Sequence, residues 1–146
     1  MQKKRGQFSI EIVRCDGFVS MPATAQALYF QILASCDDEG FTSQLEMCKF
    51  MAKASDKDVE ILVKRRFIFQ LGDDGDGNKT ITVVKHWRMN NYFREGKADP
   101  SSFAERANVF VKPNGNYTLD PSEGTPLVTN QTQTSYKRRT IECVLA

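Results

Sequence analysis

The chain has 146 residues, 40% hydrophobic and 26% charged, with a formal net charge of +2. That is ordinary for one soluble domain with some additional chain, and it excludes both a disordered polyelectrolyte and a globally basic nucleic-acid coat. Any case for a nucleic-acid partner must therefore rest on where the cations lie.

The start, MQKKRGQFSIEIVRCDG, is basic but runs into Ser9, Glu11 and Arg14 where a secretory signal would need an apolar core. Phe8 to Val13 alternates apolar and polar residues and predicts a short strand or extended arm. Gly17 to Cys36 carries no charge. Ser20, Pro22, Thr24, Gln26, Gln31 and Ser35 nevertheless make it too polar for a bilayer centre, so no membrane partner is expected. Ser20-Met21-Pro22 reads as a helix start. Ala25, Leu28, Tyr29, Ile32, Leu33 and Cys36 then recur at the spacing of one helical face, and Gly40, after Asp37-Asp38-Glu39, reads as the stop.

Phe41-Thr42 predicts a brief strand. Ser43-x-x-Glu46 is a capping box for a second helix to about Ala52, and Ser55-x-x-Asp58 is a weaker version for a third, to about Arg66 with Val59, Leu62 and Val63 inward. Phe67 to Leu71 and Thr80 to Trp87 read as strands around the turn Gly72 to Asn78. Helix, short strand, helix, turn, helix, strand, loop, strand is the order of a winged helix. The expected class is therefore α+β: a winged helix-turn-helix of three helices and a small antiparallel hairpin wing over residues 1–97. A short helix and hairpin extension follows over residues 98–119, where Val109-Phe110-Val111 and Tyr117-Thr118-Leu119 flank Pro113-Asn114-Gly115-Asn116. Residues 120–146 are polar and read as a disordered tail.

Several chemistries can be weighed from residue types. The loop GDDGDGNKT lacks the lysine that must directly follow the second glycine of a phosphate-binding loop. It also fails the calcium-loop pattern, with Lys79 and Lys85 where glycine and glutamate belong. Asp37, Asp38 and Glu39 are the one cluster that suggests a Mg²⁺-dependent nuclease, against the plain reading of a solvated turn. His86 and Trp87 are the only histidine and tryptophan. Trp87 reads as a lid on the core, and His86 would need Cys36 or Cys48 to make a metal site. The four cysteines (Cys15, Cys36, Cys48, Cys143) have no knuckle spacing and read as reduced thiols. No catalytic residue, cofactor or metal is expected. The predicted core includes Leu28, Tyr29, Ile32, Leu62 and Trp87.

DNA has the broadest support as a partner, because a winged helix offers its third helix to the major groove. Lys57 and Lys64 would project from that helix with Arg65 near them, diluted by Asp58 and Glu60. Lys85, Arg88, Arg94 and Lys97 form a second basic group, and Lys3, Lys4 and Arg5 a third. The DNA-binding candidates are Lys57, Lys64, Arg65, Lys85, Arg88 and Arg94. The rival reading is a protein–protein module in which the winged helix serves assembly and self-association as a homo-oligomer, supported by the acidic wing, the near-neutral charge and the exposed pair Tyr92-Phe93.

The segments FSIEIV, DGFVSMPATAQALYFQI, CDDEGF, KASDKDVEILVKRRFI and VVKHWRMNNYFR, in this order, resemble the N-terminal region of phage replisome organisers, relatives of the DnaD-type primosome proteins. The resemblance spans about Phe8 to Arg94 and extends toward VKPNGNYTL. It implies a winged-helix protein of the bacterial host cytoplasm that binds origin DNA and helps recruit the replicative helicase or its loader. The family usually carries a longer basic stretch where this chain has Arg94-Glu95-Gly96-Lys97-Ala98-Asp99-Pro100. The length beyond it fits a shortened or partial initiator.

Overall fold

A computed structural model describes residues 5–92 and 97–127. Helix α3, Ala23–Ser35, is the centre of the molecule. Its predicted apolar face is buried throughout: Ala25, Leu28, Tyr29, Ile32, Leu33 and the following Cys36. Two single-turn helices precede it, α1 (Ile10–Val13) and α2 (Asp16–Val19). The expected N-terminal strand is thus a helical turn, in which Ile12 is buried and Val13 packs against the core while Ile10 stays exposed. Ser20 does not cap α3. Its hydroxyl donates back to the carbonyl of Asp16 (2.7 Å), closing α2, and Pro22 stands at the N-cap.

Strand β1 is Phe41–Thr42, followed by α4 (Leu45–Ala52) and α5 (Asp56–Lys64), both packed on α3. The two capping signals exchange roles. No side chain caps α4, where the hydroxyl of Thr42 accepts from the Gln44 N–H (3.0 Å). The weaker signal closes as a capping box, with the Asp58 carboxylate accepting the Ser55 N–H at 3.0 Å. Val59 and Leu62 of α5 face inward as expected, but Val63 is more than a third exposed, since the next residue round a helix turns away from the buried stripe.

Strands β2 (Ile68–Leu71) and β3 (Ile81–Val84) pair antiparallel, Ile68 opposite Val84 and Leu71 opposite Ile81. β1 adds to the other side of β3, giving the order β1-β3-β2. All four residues of β3 are buried, so both faces of this central strand are covered and its register with β2 runs without a bulge. The strand stops sooner than expected. Lys85-His86 turns, and Trp87–Asn90 forms the short helix α6. Trp87 is 2% exposed, still the lid of the core, but it is mounted on a helix.

A 3₁₀ turn at Ala104–Asn108 replaces the short helix expected from Asp99. The hairpin β4 (Phe110–Val111) and β5 (Tyr117–Thr118) follows as predicted. A third strand, β6 (Thr125–Pro126), pairs with β4 and brings Leu127 into the core. Regular structure therefore continues past the boundary expected at Asp120; residues 128–146 lie outside the described residues. Val109, Val111, Tyr117 and Leu127 join the same core as α3 and β3, so the extension is packed onto the α/β unit. Among the described residues no helix is long and apolar enough to cross a membrane.

Candidate nucleic-acid interface

The sequence distributes basic residues widely, and the fold sorts them by what already engages them. Lys85 and Arg88 are 6% and 7% exposed. The backbone of Lys85 is held between the Phe67 carbonyl (3.1 Å) and the Tyr117 N–H (3.0 Å). The guanidinium of Arg88 lies 5.8 Å from the centroid of the Tyr117 ring. Both belong to the joint between α6 and β5, which corrects the expectation of an open basic surface there; the docked extension covers them. Arg94, and with it Lys3 and Lys4, lies outside the described residues, while Lys97 is exposed.

Arg65 is also engaged inward. Its Nη1 donates to the Gly17 carbonyl and to the Ser20 hydroxyl, both at 2.7 Å, tying the end of α5 to α2. Lys49 pairs with Glu46 (2.9 Å) and Asp56 (2.7 Å), which holds its pKa above the ordinary lysine value.

Helix α5 keeps an open face. Val59 and Leu62 turn inward, and Lys57, Glu60 and Lys64, three and four residues apart, lie on the exposed side. One of the two acids expected to dilute this face, Asp58, is consumed internally. Asp56 is bound by Lys49, and Asp58 is buried in the capping box. Glu60 is the remaining exposed carboxylate of α5 without an ion pair among the described residues. Beyond the ends of the helix, Lys53 and Arg66 are exposed as well.

The loop between β2 and β3 presents three aspartates, two of them tied to their own backbone. Asp73 accepts the Gly75 N–H (2.7 Å), and Asp74 accepts from the N–H groups of Asp76 and Asn78 and from the Asn78 amide (2.9 Å). These bonds, that of the Asn78 side chain first, hold the Asp74 carboxyl below the usual carboxylate range.

The acidic turn 37–39 is a structural hub and not the solvated turn of the plain reading. One oxygen of Asp37 accepts the N–H groups of Glu39 and Phe41 at 3.0 Å each. Asp38 accepts the Asp99 N–H, and Glu39 accepts the Ser101 N–H and pairs with Arg106 at 2.6 Å. Its carbonyls are engaged as well: Trp87 Nε1 donates to that of Asp38 (2.8 Å) and the Tyr117 hydroxyl to that of Glu39 (2.7 Å). Sequence patterns missed this hub because its partners stand about 50 to 80 positions away, though the adjacency of three acids to a glycine marked the place.

His86 is fully buried, edge-on to Phe67 with centroids 5.6 Å apart. Among the described residues no three His, Cys, Asp or Glu side chains form a group that could hold a metal. Cys36 and Cys48 are buried and outside any disulfide, and burial pushes the Cys48 thiol up. Cys15 is disulfide-bonded, which departs from the expectation of a reduced thiol. On α4, Met47, Phe50 and Met51 are exposed along one stripe, Phe50 by 83%. Comparison with known family models, curated proteins and solved structures gives no match.

Proposed function

We propose that the chain is the DNA-binding module of a phage or prophage replication initiation protein. In this reading it is a winged helix that binds origin DNA in the host cytoplasm and supports recruitment of the replicative helicase or its loader. Support for the winged helix comes from the order α3-β1-α4-α5-β2-β3 with the antiparallel sheet β1-β3-β2, α5 standing as recognition helix and the 72–80 loop as wing. The replication role rests on the resemblance to replisome organisers.

The observation that carries DNA binding is the charge sorting on α5. Asp58 is buried in the capping box and the exposed Asp56 is paired with Lys49, so Lys57 and Lys64 meet solvent with Glu60 as the one unpaired carboxylate of α5 among the described residues. A duplex approaching this face gains from each neutralised phosphate through release of counterions. Fluorescence anisotropy on duplex DNA at stepped salt tests it. The unaltered protein is expected to bind at low salt, and Lys57→Glu with Lys64→Glu to lower the slope of log affinity against log salt by about two. Absence of binding at low salt refutes the proposal.

The exposed stripe Met47, Phe50 and Met51 favours a second reading, an assembly module in which the winged helix meets protein. Light scattering separates the two. Concentration-dependent oligomers without DNA affinity support assembly; a DNA-binding monomer excludes it.

A further inference from the structure

Seven described residues occupy the left-handed backbone region, and five of them are glycines: Gly40, Gly72, Gly75, Gly77 and Gly115. The other two are Lys53 (φ 56°) and Arg66 (φ 62°). Each stands at the same place in the same motif. At the end of α4 the Lys53 N–H bonds the Phe50 carbonyl (3.2 Å) and the Ala54 N–H bonds the Lys49 carbonyl (2.9 Å). At the end of α5 the Arg66 N–H bonds the Val63 carbonyl (3.0 Å) and the Phe67 N–H bonds the Leu62 carbonyl (2.9 Å). Both are Schellman terminations, whose left-handed position is normally glycine because a Cβ is disfavoured there. The short turn between two helices of a helix-turn-helix also commonly carries glycine.

The chain uses glycine freely for this conformation elsewhere, yet places two long cations at these two sites. Both are exposed, and among the described residues neither side chain forms a hydrogen bond or ion pair. The nearby Lys49 and Arg65, by contrast, are engaged within the fold. The two positions bracket α5. Its nine residues rise about 13 Å, close to the major-groove width of about 12 Å.

We propose that Lys53 and Arg66 are phosphate anchors of α5, one at either end, reaching the two backbones that border the groove the helix enters. The proposal rests on the DNA-binding reading above and adds residues that local hydropathy and helical spacing do not single out. It explains why a disfavoured backbone conformation is retained with a long cation: the charge serves the complex, not the fold.

The test replaces both residues with glycine and, separately, with asparagine, which is neutral and tolerates the left-handed region. Thermal melting and salt-stepped anisotropy on a mixed-sequence DNA duplex are then read on the same samples. Melting temperature is expected to hold or rise in the double glycine variant, and the salt slope to fall by about two in both variants. A wild-type slope in either folded variant overturns the proposal while leaving DNA binding by α5 intact. So does a lower melting temperature in both variants with unchanged slope, which would assign the two cations to the helix ends. If the unaltered protein fails to bind the duplex at low salt, the DNA-binding reading itself is refuted and the anchors fall with it.

Discussion

At the scale of single residues, the acidic turn shows how one position sets the lid of the core. Gly40 holds φ +91°, and a Cβ there would fall 2.6 Å from Trp87 Cγ and 2.8 Å from Cδ2. The glycine was legible as a helix stop, but α3 already ends at Ser35. Its office is to let the turn lie against the indole, and the Gly40 carbonyl then accepts the Val84 N–H (3.0 Å). Two costs combine for Gly40→Ala: the left-handed backbone and a contact that neither ring nor main chain can relieve cheaply. A loss of about 2–4 kcal/mol in denaturant unfolding is expected. Gly75→Ala supplies the control, since Gly75 holds φ +90° with nothing within 4 Å. It should cost only the backbone share, about 1–2 kcal/mol. Equal losses at the two positions would remove the Trp87 contact as the cause.

At the scale of elements, legibility followed the length of the periodic pattern. Six apolar residues on one face made α3 readable, and the β2–β3 hairpin was readable from β-rich runs around a glycine-aspartate turn. The elements misread are a single turn long. FSIEIV fits a strand as well as a helical turn, and only tertiary contacts decide. α6 is similar. Asn90 accepts the Ser9 N–H and donates to the Tyr29 hydroxyl, both at 2.8 Å, bonds that link positions 61 and 81 apart and leave no local signal. Arg65 illustrates the same limit at the candidate interface, where helical spacing grouped it with Lys57 and Lys64 while the fold turns it onto α2. Arg65→Ala is therefore expected to behave as a stability variant. Two charge-assisted bonds at a half-buried site give about 1–3 kcal/mol. The salt slope for DNA should stay that of the unaltered protein, and a slope lower by one would restore Arg65 to the interface.

Across the whole molecule, the extension and the α/β unit share one core, and two buried phenols stand in it. Tyr29 lies in an aromatic cluster, edge-on to Phe18 (5.5 Å) and Phe67 (5.7 Å). Tyr117 carries the extension, its hydroxyl on the Glu39 carbonyl and its ring beside Arg88. The docking of residues 109–127 was the least legible feature of the sequence, because it depends on Tyr117, Val111 and Leu127 meeting a surface built more than 20 residues earlier. Burial raises both phenols far above their ordinary value near 10, against the lowering effects of Asn90 on Tyr29 and of Arg88 on Tyr117. The sign follows from proton counting. Above pH 10 an unfolded tyrosine loses its proton while the folded one keeps it, so the native state binds more protons and stability falls as pH rises. Each buried phenol contributes about 1.4 kcal/mol per pH unit beyond that point. Lysines titrate in the same range, so the tyrosines must be isolated by variants. Unfolding free energies at pH 8 and pH 11 are expected to differ less in Tyr29→Phe and in Tyr117→Phe than in the unaltered protein, by roughly one proton's slope each. An unchanged difference in Tyr117→Phe would mean that its phenol ionises as freely in the native state as in the unfolded chain, which full burial against Glu39 does not allow.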